Sequence, residues 1–225
     1  MISKISKSEG DYLKAIFILT QQEDTTNTVA LSEALKVKPP SVTSMLKKLV
    51  NQEPALVEYQ KWYGVKLTEA GNKLAIKLLR RHRLLETFLV EILKYDWEDV
   101  HPEAEELEHV ISEKFEEHIA QLLENPQFDP HGDPIPDRDL IFPESNAFRL
   151  EALEENQSAI IRRVKISQPE LLRHLSEHGI MPGARIIIQK RNPFDETLQL
   201  LVGKEITPYV MGKELSKAIF VEKIN

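Results

Sequence analysis

Apolar positions recur at helical spacing along the front of the chain and give way to alternation near its end. Over residues 8–20, Tyr12, Ala15, Ile16 and Leu19 fall on one face of a helix for which Ser8 is the expected N-cap. A polar loop, Q-Q-E-D-T-T-N-T, separates it from a short helix over 29–35. After the turn K-V-K-P, Pro40 opens another helix that turns Val42, Met45, Leu46 and Leu49 inward and leaves Ser41, Thr43, Ser44, Lys47 and Lys48 outward. Residues 56–68 alternate as two short strands around a turn near 62–64, and L-T-E-A-G leads into a long helix reaching 93. Its basic residues Lys77, Arg80, Arg81 and Arg83 gather toward the front, whereas Leu84, Leu85, Phe88, Leu89, Ile92 and Leu93 are apolar on more than one face, which predicts subunit packing. The acidic stretch 101–118 reads as one further helix, with Pro102 in its first turn and Leu107, Val110, Phe115 and Ile119 as its apolar face. Residues 125–145 hold five prolines without periodicity and read as a loop or domain link, and 147–156 as a short acidic helix or linker. From 159 onward, strands alternate with turns around one short helix ending at Gly179, the pattern of a small β-barrel.

A short helix, a tight turn and a second helix with small polar and basic residues outward is helix-turn-helix logic. Small side chains let the helix backbone approach the major groove, hydroxyls bond base edges or phosphates, and lysines neutralise phosphate charge. The hairpin that follows makes it a winged helix rather than a plain three-helix bundle. The residues expected at DNA are Lys38, Pro40, Ser41, Thr43, Ser44, Lys47 and Lys48, with Lys61 and Tyr63 at the wing.

Charge supports this division. The net charge of −7 hides a front part, 1–83, with 14 Lys/Arg against 8 Asp/Glu, and a remainder with 15 against 28. A basic front on an acidic back predicts a polyanion, double-stranded DNA, held by the first part alone. With 225 residues, 41% of them hydrophobic, the chain is long enough for two or three small domains. The absence of cysteine excludes disulfides, a thiolate nucleophile and a thiolate zinc cage. The first residues carry no signal-like apolar core, and no run of about 18 apolar residues occurs, so the expectation is a cytoplasmic protein without a membrane partner.

Glu105, Glu108 and His109 stand at i, i+3 and i+4, one face of the acidic helix, with His101 a turn earlier. Two carboxylates and an imidazole suit a divalent ion of intermediate hardness; a solvated acidic face is the plainer alternative. His82 and Glu86 share a face of the long helix, and Asp129 and His131 lie in the proline-rich stretch.

With the winged helix, R-H-R-L-L-E, H-P-E-A-E-E-L-E-H and D-P-H-G-D-P-I-P in that order, the chain resembles the diphtheria-toxin-repressor and manganese-transport-regulator family along its whole length. The resemblance implies a mainly α protein with a small β C-terminal domain. Its winged helix-turn-helix spans 1–72, a helical metal-binding and dimerisation domain 73–143, a linker 144–156, and an SH3-like (FeoA-type) β-barrel 157–225. It also implies a homodimer that is activated by a divalent metal ion and represses metal-uptake genes at palindromic DNA operators. Carried over by position, the primary site is Asp11, Glu105, Glu108 and His109 with His82 close by, tying the DNA-binding head to the dimer core. A second site uses Glu86 with His82 and His101; in another branch a Cys-x-His contributes, and Asp129 and His131 take those places. Gln168 or Glu170 stands where the third domain would add a ligand, while His118, His174 and His178 read as solvated or capping. Asp11 and Glu105 replace the Met and Cys of iron-type members, and oxygen for sulfur favours Mn²⁺, with Fe²⁺ the alternative. Lys14 replaces a metal-binding Glu of the small manganese regulators, and a charged lysine does not ligate.

A hydrolytic centre built on Glu105, Glu108, His109 and His82 would need an open coordination position and a substrate pocket. The sequence offers no nucleophile, phosphate loop or lid, so an enzyme is not expected. A metal-independent winged-helix adaptor using its acidic helix to bind another protein is the third reading, separated from the first by whether DNA retention depends on metal.

Overall fold

The computed structural model describes residues 5–21, 23–60 and 63–224. They form two compact units, one of Met1–His82 with Glu106–Glu113 and Pro136–Ile141, the other of Arg83–Glu105 with Lys114–Ile135 and Phe142–Asn225.

In the first unit, helices α1 (Lys7–Leu19), α2 (Thr28–Ala34) and α3 (Pro39–Val50) precede a hairpin of β1 (Val57–Gln60) and β2 (Gly64–Leu67) and the start of α4 (Glu69–Glu91). Helix α1 is capped by Ser6, not Ser8: Ser6 and Glu9 form a reciprocal capping box that satisfies two orphan backbone donors and sets the helix start two residues earlier. Asn27 caps α2 by accepting from the amides of Val29 and Ala30. Prolines 39 and 40 fill the first turn of α3, where a missing N–H costs nothing. Leu13 and Ile16 of α1, Leu31 of α2, Val42, Leu46 and Leu49 of α3, Val57 and Val65 of the hairpin and Leu78 of α4 close one core. Lys61 and Trp62, at the wing turn, lie outside the described residues.

Two expectations for the middle of the chain are corrected. The front arginines of α4 do not form a DNA-side cluster. Arg80 and Arg81 are buried and donate to the carbonyls of Pro136 (3.4 Å) and Glu108 (3.0 Å), while Arg83 donates to Pro134. A guanidinium can be buried where carbonyls take its donors, and that use outweighs solvation. Of the apolar residues expected at a subunit contact, Leu84, Leu85 and Leu89 are buried within the chain, Phe88 is half-buried, and Ile92 and Leu93 are exposed. Nor is 101–118 one helix. Helix α5 (Val100–Leu107) ends, a turn follows, and α6 (Glu113–Leu122) begins afresh. The break puts Glu108 and His109 in the turn and leaves Val110 and Phe115 exposed, at 77% and 50%, in place of a continuous apolar face.

The second unit contains an antiparallel sheet in the order β3-β8-β4-β5-β6-β7. Its strands are β3 (Phe148–Arg149), β4 (Ser158–Val164), β5 (Arg185–Arg191), β6 (Leu198–Val202), β7 (Tyr209–Met211) and β8 (Ile219–Lys223), with helices α7 (Pro169–Glu177) and α8 (Lys213–Ala218). Alternating positions such as Ala159, Ile161, Ile186, Ile188, Leu198 and Leu200 fill its core together with Trp97. The stretch expected as linker enters this unit from Phe148: β3 pairs with β8, and Leu150 and Leu153 are fully buried. Its acidic composition hid two leucines that find the sheet. His178 is the C-cap of α7, and Gly179 follows with φ +68°. Among the described residues, no helix is long and apolar enough to cross a membrane.

Candidate metal centres

Within the first unit, three segments converge on the Glu108 carboxylate. Helix α1 supplies Asp11 and Lys14, α4 supplies His82, and the turn after α5 supplies Glu108 and His109. Glu108 Oε2 lies 2.7 Å from His82 Nδ1, and Oε1 lies 2.6 Å from Lys14 Nζ and 3.1 Å from His109 Nε2. A carboxylate only accepts, so His82 Nδ1 carries the proton. Burial pushes the Glu108 carboxyl up, but the His82 hydrogen bond and charge, with Lys14 behind them, override it and hold Glu108 below the usual carboxylate range. His109 Nε2 is buried, makes no hydrogen bond, and sits 3.7 Å from Asp11 Oδ1. An imidazole nitrogen held between two carboxylate oxygens calls for a proton or a cation. Asp11, Glu108 and His109 each offer a ligand atom within 4.8 Å of the others, a nitrogen-and-oxygen set that fits a divalent metal. Glu105 stands on α5 one turn before Glu108.

The second unit holds a separate group. Glu86 on α4 and the buried Asp129 and His131 offer ligand atoms within 4.8 Å of one another. His131 Nε2 lies 2.8 Å from the Trp97 carbonyl and therefore carries the proton, leaving the Nδ1 lone pair 3.9 Å from Glu86 Oε2. Asp129 Oδ1 accepts from the amides of His131 and Asp133, at 2.9 Å each. Burial pushes the Asp129 carboxyl well up, Asp133 and Glu86 add to it, and Arg83 opposes. Gly132 makes the turn possible: at φ +84° a Cβ would stand 1.8 Å from the Arg162 carbonyl oxygen. His101, half-exposed, has Nδ1 3.1 Å from Glu86 Oε1 and Nε2 3.9 Å from Glu105 Oε1.

Gln168 and Glu170 are exposed and join no ligand group among the described residues. His118 bonds the Lys114 carbonyl, His178 the His174 carbonyl, and His174 the Tyr209 hydroxyl, in keeping with their reading as solvated or capping groups. Neither the Trp97 carbonyl nor the Glu108 carbonyl facing Arg81 can be read from the sequence, because backbone acceptors carry no side-chain signature.

On α3, Pro40, Ser41, Ser44, Lys47 and Lys48 are exposed, as is Lys38 before it. Thr43 is half-buried and bonds back to the Pro39 carbonyl at 3.3 Å. Lys48 Nζ lies 3.3 Å from Glu9 Oε1, so this lysine is already partly neutralised. Tyr63 is exposed at the wing.

Comparison with known proteins accounts for both parts of this arrangement. Residues 4–65 match the iron dependent repressor N-terminal DNA binding domain, 68–137 the iron dependent repressor metal binding and dimerisation domain, and 148–223 the FeoA domain. The iron-dependent repressor IdeR of Mycobacterium tuberculosis is 28% identical over 225 residues, covering 95% of this chain and 96% of that protein. The transcriptional regulator MntR of Bacillus subtilis is 35% identical over 117 residues, 52% of this chain and 80% of its own length. A solved structure, described as a manganese-dependent transcriptional repressor complex with manganese, superposes with a TM-score of 0.87 at 33% identity, covering 96% of this chain and 100% of that one. The chain thus belongs to the diphtheria-toxin-repressor, IdeR and MntR family of metal-dependent, DNA-binding transcriptional repressors, which are not enzymes.

Proposed function

We propose that this chain represses metal-uptake genes in response to Mn²⁺, as a cytoplasmic homodimer on palindromic operators, with Asp11, Glu105, Glu108 and His109 holding the activating ion. The observation that carries the reading is the buried His109 Nε2, between Glu108 Oε1 at 3.1 Å and Asp11 Oδ1 at 3.7 Å. A bound ion would add positive charge where the His109 nitrogen meets the Asp11 and Glu108 oxygens. Asp11 lies on α1 and Glu108 and His109 in the turn after α5, so binding fixes α1 against that turn within the first unit. Glu86, Asp129 and His131 would hold a second ion, with His131 presenting Nδ1.

Manganese is favoured by the donor atoms. Asp11 and Glu105 offer hard oxygen where iron-type members offer sulfur, and oxygen-rich shells suit Mn²⁺. Iron is the second reading, because the relative matched over 95% of this chain at 28% identity bears the name iron-dependent repressor. At the operator, Ser41 and Ser44 would face bases and Lys47 and Lys48 phosphates, with Lys38, Pro40, Thr43, Lys61 and Tyr63 around them. Operator binding titrated with Mn²⁺, Fe²⁺ under anaerobic conditions, Co²⁺ and Zn²⁺ tests the whole. Zn²⁺ binds tighter by the Irving–Williams trend but is content with four ligands, so Mn²⁺ should reach the higher maximal activation. Replacing Asp11→Met together with Glu105→Cys should move activation toward Fe²⁺ and Co²⁺. Chelator-treated protein that holds operator as tightly as the metal-loaded form would remove the regulator reading, and equal activation by Mn²⁺ and Zn²⁺ with no shift in the double variant would remove the metal preference.

A further inference from the structure

We propose that Lys14 is a resident cation of the first cluster, competing with the divalent ion for Glu108 and limiting that cluster to one ion. The proposal rests on the cluster being a metal site. Lys14 sits three residues after Asp11, which puts both on the same face of α1. Its side chain is 8% exposed, and Nζ lies 2.6 Å from Glu108 Oε1, the same oxygen that lies 3.1 Å from His109 Nε2. The other oxygen belongs to His82. Glu108 is fully buried, and both of its oxygens are engaged before an ion arrives. A divalent ion drawn to Oε1 and His109 must therefore share that oxygen with an ammonium or push the ammonium away. Sharing places two positive charges about one carboxylate in a water-poor site, where their repulsion is only weakly screened. Displacing it costs the ammonium its 2.6 Å contact with Glu108. Either way the cluster binds more weakly than its donor atoms alone would allow. A second ion has even less to bind, since the ammonium already engages Oε1 and has no lone pair of its own to offer. Lys14 then sets the ion concentration at which the cluster fills.

Equilibrium dialysis with metal analysis and calorimetric Mn²⁺ titration of the stripped full-length chain test this, using the parent, Lys14→Met, Lys14→Arg and Lys14→Glu. Lys14→Met, which keeps the length and loses the charge, should bind about tenfold tighter with an unchanged ion count. Lys14→Arg should behave as the parent, and Lys14→Glu should take up one additional ion per chain. An affinity for Lys14→Met within about twofold of the parent, with native circular dichroism, overturns the competition. An unchanged count in Lys14→Glu overturns the limit to one ion, and decides that point even if Lys14→Met fails to fold. Asp11→Ala separates the two levels of the argument. If it loses one ion per chain while the Lys14 variants change nothing, only the role of Lys14 fails. If it loses none, the first cluster is not a metal site and the functional reading fails with it.

Discussion

At Glu108 a single carboxylate holds together Lys14 of α1, His82 of α4 and His109 of the turn after α5. The simplest way to test the metal site, replacing it by alanine, would also remove a buried charged partner of Lys14 and His82. Losing one partner of a buried pair costs about 3–5 kcal/mol. Glu108→Ala should therefore lower the urea midpoint by that order as well as removing the metal response, whereas Glu108→Gln keeps the shape and should separate metal loss from unfolding. A Glu108→Ala midpoint equal to the parent's would mean that the Lys14 contact contributes nothing to stability. A subtler lesion lies at Gly10, where an added Cβ would come within 3.3 Å of both His109 Cε1 and Leu78 Cδ1. Gly10→Ala gains up to about 1 kcal/mol of helix propensity, and to seat the methyl group the imidazole must shift. The expected result is little or no loss of stability in the metal-free melt together with weaker Mn²⁺ binding; unchanged Mn²⁺ affinity would show that the ring has room to yield.

Among the elements, α4 does more than run from wing to core. Arg81 is buried on it and donates to the Glu108 carbonyl, holding the turn that ends α5. Hydrogen bonds to a charged donor contribute about 1.5–3 kcal/mol, so Arg81→Met should destabilise the chain by that amount and weaken Mn²⁺ binding through a displaced Glu108. Stability lost without any change in Mn²⁺ affinity would place the turn under other control. On α3 the two exposed lysines should differ. Lys47→Ala should flatten the slope of log operator affinity against log salt by about 0.9. Lys48→Ala should do less, because Glu9 already faces that ammonium at 3.3 Å. The same slope change for both would mean that Glu9 releases Lys48 on DNA, and no change for either would mean that α3 is not the recognition helix.

At the scale of the whole molecule, each compact unit carries its own ligand group: Asp11, Glu108 and His109 in the first, Glu86, Asp129 and His131 in the second. Glu106–Glu113 falls in one compact unit with α1, and the Lys14–Glu108 and Lys7–Glu106 contacts join the two whether or not an ion is bound. A site filled at a hundredfold excess over its dissociation constant stabilises by about 2.7 kcal/mol. Mn²⁺ should therefore raise the melting temperature of the parent, and Asp11→Ala and His131→Ala should each remove part of the gain, additively if the groups are independent. A full gain retained by either variant would exclude that group as a site.

Periodicity placed the winged helix because its core residues recur at intervals that burial dictates locally: Leu46 and Leu49, or Val57 and Val65, are buried wherever such a pattern folds. The strands from Ser158 onward were legible for the same reason, and the ligand-type residues were legible by their chemistry. The family comparisons support that reading at the level of fold and metal-dependent repression. What sequence could not decide depended on partners distant along the chain. Whether 101–118 is one helix or two turned on Glu108 and His109 finding Lys14, His82 and Asp11 from other segments. Whether the arginines of α4 faced DNA or the interior turned on carbonyls at Glu108, Pro134 and Pro136. The acidic stretch before β4 joined the sheet because two leucines met an apolar core that only the assembled strands provide. Local spacing sets which face of an element is apolar; only the folded chain sets which charge meets which, since Coulomb and hydrogen-bond energies depend on distances that sequence separation does not encode.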